Sequence, residues 1–195
     1  MVRSRERGRT NRPLLLMARN LRSNLTGGDL RSLGKSDQAV EAVARNPTRF
    51  AELFGNLFDS DRRVRMRAAD AVEKVTRDRP GLLHLWKRAL LEQISALEEK
   101  EVRWHVAQML PRLKLTAAEE SAAVRILIGY LDDESSIVKT CAMQALADFA
   151  AADRRLRSEI VPLIEQLTVT GTPAMRARGR KLMKRLVPQQ TVQDG

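Results

Sequence analysis

Four stretches of this chain align without gaps, and a chain that repeats itself at this spacing has few folds open to it. They are VRMRAADAVEKV from Val64, VRWHVAQMLPRL from Val102, VKTCAMQALADF from Val138 and MRARGRKLMKRL from Met175, with starts 38, 36 and 37 residues apart. In each, the first residue is apolar, the second basic, the fifth small or apolar, and the ninth and twelfth apolar, as at Val64, Ala68, Val72 and Val75. That spacing marks one face of an α-helix. A second apolar stretch precedes each segment, at 50–58, 82–97, 124–131 and 160–167. The repeated unit therefore reads as a helical hairpin, which cannot bury its apolar face alone and must stack on copies of itself.

Helix-boundary chemistry supports the same division. Asn46-Pro47 and Thr172-Pro173 each set a capping residue before a proline at the first helical position, and Thr116 with Glu119 has the spacing of a capping box. Polar clusters at 59–61, 98–100, 132–134 and 170–171 supply the turns inside the hairpins. Pro111 and Pro162 lie within otherwise helical stretches and are expected to bend them. Gly27-Gly28 reads as a turn, followed by a short capping helix over 37–44 that covers the first hairpin. The expected organisation is a basic, unfolded arm over 1–23, a turn and capping helix over 24–46, hairpins over 47–79, 80–114, 116–150 and 154–187, and an unfolded tail over 188–195.

Composition fits an all-α chain: aromatic residues make up only 4% of 195, against 43% hydrophobic overall. No apolar run approaches the roughly 20 residues of a membrane span, and the leading stretch lacks the apolar segment of a secretory signal, so the expected address is the cytosol without membrane contact. One cysteine, Cys141, and two histidines, His84 and His105, give no disulfide and no metal-ligand spacing, so neither metal nor cofactor is expected. Cys141 reads as a small packing residue. There is no phosphate-binding glycine loop, serine elbow or paired-histidine metalloprotease motif.

The net charge of +11 is not spread evenly: it is +7 over 1–36, −1 over 37–172 and +6 over 173–186. Arg3, Arg5, Arg7, Arg9 and Arg12 make the start a phosphate-attracting arm. Met17 can equally begin the protein, which leaves residues 1–16 open to a second reading as an extended start or a targeting segment.

The acidic turn followed by Val-Arg, Ala-Ala and spaced Leu or Val, in DSDRRVRMRAADAV and again in DDESSIVKTCAMQAL, is similar to HEAT repeats. The resemblance runs over about 47–186 and extends to the small stand-alone prokaryotic HEAT proteins. It implies a right-handed, armadillo-like α-solenoid of about four hairpins, in which the second helix of each lines a concave surface. The fourth repeat departs from the pattern at Gly179 and Arg180 and reads as the terminal cap.

At 100° per residue, positions two and six after each repeat start point away from the apolar stripe. They are Met66 and Asp70, Trp104 and Gln108, Thr140 and Gln144, and Ala177 and Lys181, and on the HEAT arrangement they form the inner face. Trp104, a large side chain at an outward position, marks its centre and reads either as an anchor for a partner or as a ring packed over the adjacent helix. Beside it runs a basic ladder, Arg65, Arg103, Lys139 and Arg176, which either follows an anionic partner or pairs with turn acids such as Asp61, Glu101 and Asp133. A second flank adds Arg67, His105, Arg178 and Arg185. The function expected is a non-catalytic scaffold binding a protein partner on this face. The alternative is a nucleic-acid binder using the basic ends, related to HEAT-like glycosylases of alkylated DNA, whose aromatic would fall to Trp104 and whose acid would have to come from Asp70, because Gln108 at the matching place carries no charge.

Overall fold

The computed structural model describes residues 21–26 and 36–187, and every described element is helical. The arginine-rich start, the Gly27-Gly28 turn and the C-terminal tail lie outside the described residues. No helix among the described residues is long and apolar enough to cross a membrane. The chain forms two compact units, Met1–Val72 and Glu73–Gly195.

In the first unit, α1 (Ser36–Arg45) is followed by a 3-10 turn (Pro47–Arg49), α2 (Phe50–Gly55), a second 3-10 turn (Asn56–Phe58) and the start of α3 (Arg62–Asp78). Asn46 caps the first 3-10 turn by accepting from the Thr48 amide, with Pro47 at its start, as the sequence predicts. The core is an apolar cluster of Phe50, Leu53, Phe54 and Leu57 against Val64, Ala68 and Val72. Leu21 and Leu25 are fully buried in it. Residues 21–23, assigned by sequence to the unfolded arm, are instead helical. Burying a leucine stabilises by about 1.5–3 kcal/mol, enough to fix so short a turn of helix. The Leu21 amide adds a hydrogen bond to Glu52 Oε1 at 2.9 Å, and Arg22 pairs with Asp59.

The second unit continues from Glu73 through a 3-10 stretch (Pro80–Trp86), α4 (Lys87–Glu92), a 3-10 turn (Ile94–Ala96), α5 (Lys100–Met109), a 3-10 turn (Leu110–Arg112), α6 (Ala117–Tyr130), α7 (Ser136–Ala152), α8 (Arg154–Thr170) and α9 (Pro173–Leu186). α7 packs on α6 and α9 on α8, as two antiparallel pairs, while α5 lies along α7 and α7 along α9. The second helices of successive repeats are thus neighbours, and the repeat positions Val102, Val106, Leu110, Val138, Ala142 and Leu146 are all buried between them. Thr116 and Glu119 make the reciprocal capping box at the start of α6, and Thr172 caps α9.

Two stretches differ from the sequence expectation. Residues 82–97 are not one helix but a short α-helix between 3-10 turns, with the weak helix former Gly81 near the start of the stretch. Pro111 does not bend a continuing helix. It cannot donate to the Ala107 carbonyl, so α5 ends at Met109 and tightens into 3-10 geometry. Pro162, exposed on α8, leaves that helix continuous from Arg154 to Thr170.

Candidate interaction surface

Within the second unit, the neighbouring helices α5 and α7 leave a cleft of about 390 Å³ lined by Ala107, Gln108, Pro111, Arg112, Cys141, Gln144, Ala145 and Asp148. The opening follows from residue size: alanines, a cysteine and a proline stand where larger side chains would close the gap. Gln108 and Gln144, both expected on the inner face, form its amide walls. Gln108 Nε2 lies 3.5 Å from Cys141 Sγ, and Gln144 donates to Asp148 Oδ1 at 2.9 Å while accepting from Arg178 Nη1 at 2.7 Å. Trp104 sits one turn before Gln108, half-buried, with its ring edge-on to His105 at 5.6 Å between centroids. Thr140, one turn before Gln144, is also half-buried and donates to the Ser136 carbonyl at 2.6 Å. On α9, Ala177 and Lys181 are exposed.

The cleft is close to electrically neutral because its charges are already engaged. Arg112 donates to the Glu73 side chain and carbonyl and to Thr76 Oγ1, and Asp148 accepts from Arg185 at 2.8 Å. Burial alone would raise the Glu73 carboxyl, but hydrogen bonds from Arg112 and Arg77 outweigh it and hold the group below the usual glutamate range. Burial pushes the Cys141 thiol up, which removes the thiolate that reactivity needs and fits its reading as a packing residue. Arg112 and Asp148 were not singled out from sequence, whereas Arg185 was read there as part of the second basic flank. They stand ten residues after each repeat start, the next rung beyond the two that were projected outward, so the same arithmetic carried one turn further finds them.

Several sequence assignments are corrected. Met66 and Asp70 are 4% and 6% exposed and do not belong to a solvent-facing surface. The cause lies within the first unit: Ser36 of α1 sits against this side of α3, its Oγ donating to Asp70 Oδ2 at 3.0 Å. Asp70 is therefore a buried acceptor, unsuited to stabilising charge on a bound sugar. Arg67 is fully buried and donates to the Leu25 carbonyl at 2.9 Å. His105, at 8% exposed, is a packed side chain rather than an exposed flank residue.

The basic ladder divides by position. Arg65 donates to the carbonyls of Asp59 and Ser60, and Arg103 donates to the Leu97 carbonyl and to Asp133, so these two tie helices to turns. Lys139 is half-buried, whereas Arg176 and Arg178 are exposed on α9.

No family model matches the sequence, and no curated protein matches it. Solved structures do match. An engineered protein from a structural genomics programme superposes with a TM-score of 0.60 at 16% identity, covering 90% of each chain. A designed armadillo repeat protein in complex with the peptide (KR)4 gives 0.58 at 16% identity, covering 89% of this chain and 80% of that one. A second designed armadillo repeat protein gives 0.59 at 17% identity, covering 88% and 81%. The chain has the helical-repeat solenoid fold of the armadillo and HEAT type. At these identities the likeness is one of fold.

Proposed function

We propose that the protein is a non-catalytic scaffold that binds an extended segment of another protein along the shared face of α5 and α7. The observation that carries this reading is the cleft itself, with a small-residue floor, two glutamine walls and charges compensated from outside. Amide side chains donate and accept at once, which suits a peptide backbone that does the same. A neutral cleft imposes no strong sign on the ligand's side chains. Trp104 at one end offers a partly exposed ring of the type that dominates interface energetics. That a designed protein of this fold is described in complex with a peptide supports the mode of binding, though not the peptide's sequence. Arg65 and Arg103 are read as structural, since each donates to groups of a turn.

Selection from a displayed random-peptide library on the full chain tests this. Enriched peptides should bind at least tenfold more weakly to Gln108→Arg and to Trp104→Ala, each checked for unchanged thermal stability. Enriched peptides that bind both variants as tightly as the parent, or no enrichment over a Gln108→Arg, Gln144→Arg control, would remove the cleft from consideration.

A further inference from the structure

The last helix carries a surface that the cleft does not use. α9 reads PAMRARGRKLMKRL and holds six cations and no acid. Met175, Gly179, Leu182 and Leu186 form its buried stripe, and Arg176, Arg178, Arg180, Lys181, Lys184 and Arg185 are all exposed. At 100° per residue these six cover the whole half of the helix turned from that stripe. Arg178 and Arg185, on the edge next to α7, are held by Gln144 and Asp148. Arg176, Arg180, Lys181 and Lys184 have no acidic partner among the described residues.

We infer that this face binds the phosphate backbone of duplex nucleic acid without reading its sequence. Two features select that partner. Apart from Val187, half-exposed just past its C-terminal end, the face offers only Pro173, Ala174 and Ala177 among the cations, whereas a stable protein interface needs an apolar centre and is poor in lysine. Its charge density also matches: from Arg176 to Arg185 the helix advances about 14 Å, over which a duplex presents roughly eight phosphate charges. Arg178 and Arg185, fixed by their partners, place two cations at one edge, and the four others are free to follow the strands.

The test is binding of a labelled random-sequence duplex to the full chain across a salt series, compared with Arg176→Gln, Arg180→Gln, Lys181→Gln and Lys184→Gln combined. Each lost phosphate contact lowers the slope of log affinity against log salt by about 0.9, so the slope should fall by about three to four. A second full-length variant with glutamine at Arg3, Arg5, Arg7, Arg9 and Arg12 separates α9 from the arm. The inference stands if the α9 variant loses the slope and the arm variant retains most of it. It is overturned if only the arm variant loses binding, if the duplex does not bind at 50 mM salt, or if poly-glutamate binds as tightly as the duplex. The substituted side chains are exposed, and an unchanged helical spectrum and melting temperature exclude unfolding. Single Lys181→Gln and Lys184→Gln variants, each expected to lower the slope by about one, give an independent readout.

Discussion

Arg103 of α5 and Asp133, in the turn ahead of α7, are joined across repeats: Nη1 donates to Oδ2 at 2.8 Å, while Arg103 Nε holds the Leu97 carbonyl at 2.9 Å. The guanidinium also lies over the Tyr130 ring, 5.5 Å from its centroid. Tyr130 in turn donates to the Ser95 carbonyl at 2.8 Å, and burial raises its phenol above the usual range. One basic position of the repeat therefore ties its own turn to the next. Both partners are largely shielded, at 25% and 7% side-chain exposure. A double-mutant cycle with Arg103→Met and Asp133→Asn, read by urea denaturation, is expected to give a coupling of about 1–2 kcal/mol. Lys139→Met, at the matching ladder position, should change stability by less than about 0.5 kcal/mol.

Gly179 lets α9 approach α8. A Cβ there would fall on Thr168 Oγ1 and lie 2.9 Å from Thr168 Cβ and 3.2 Å from its Cα, so backbone and not just a movable side-chain tip stands in the way. Gly179→Ala should destabilise by about 1–3 kcal/mol in spite of alanine's better helix propensity, measured as a shift in denaturation midpoint. Adding Thr168→Ala should recover only part, because its Cβ remains.

Glu73 sets an acid limit. Its folded pKa lies below the unfolded value near 4.5, so the stability it contributes is fully present above that pH and is lost as pH falls through the folded value. Glu73→Gln is expected to cost about 2 kcal/mol at pH 7, with the deficit against the parent shrinking steadily below pH 4.5. Glu119, held down to about 2 by Lys87 and by the Thr116 amide, loses its charge in the same window. Its titration, followed by carboxyl NMR, should show a midpoint well below that of a free glutamate.

Arg67 anchors the N-terminal turn to α3 in the first unit. Arg67→Met removes the donor to the Leu25 carbonyl, and a loss of about 2–4 kcal/mol is expected in that unit. Hydrogen exchange over residues 21–26 should quicken more than exchange over α1, and equal protection before and after the change would show that Leu21 and Leu25 hold the segment without the arginine.

The helices were legible in the sequence because capping chemistry and the apolar stripe act locally: Asn46, Thr116 and Thr172 begin their elements as read, and the buried stripes of α5 and α7 fall on the repeat positions. Projection around the helix set Gln108 and Gln144 on one side, and both line the cleft between α5 and α7. It failed at Met66 and Asp70, since projection around one helix cannot see Ser36 arriving from α1. Burial of His105 likewise escaped projection around the one helix. The basic ladder looked uniform as a pattern of residue types, yet its members divide by whether a turn lies within reach.

Helices α5, α7 and α9 touch in succession, each bearing on the next. In such a stack, opening energies add from neighbour to neighbour, and one element can open locally without disturbing the rest. The cationic face on α9 is joined to α5 by way of α7. Ligand gripping α9 would raise the protection of its amides selectively, leaving exchange in α5 unchanged.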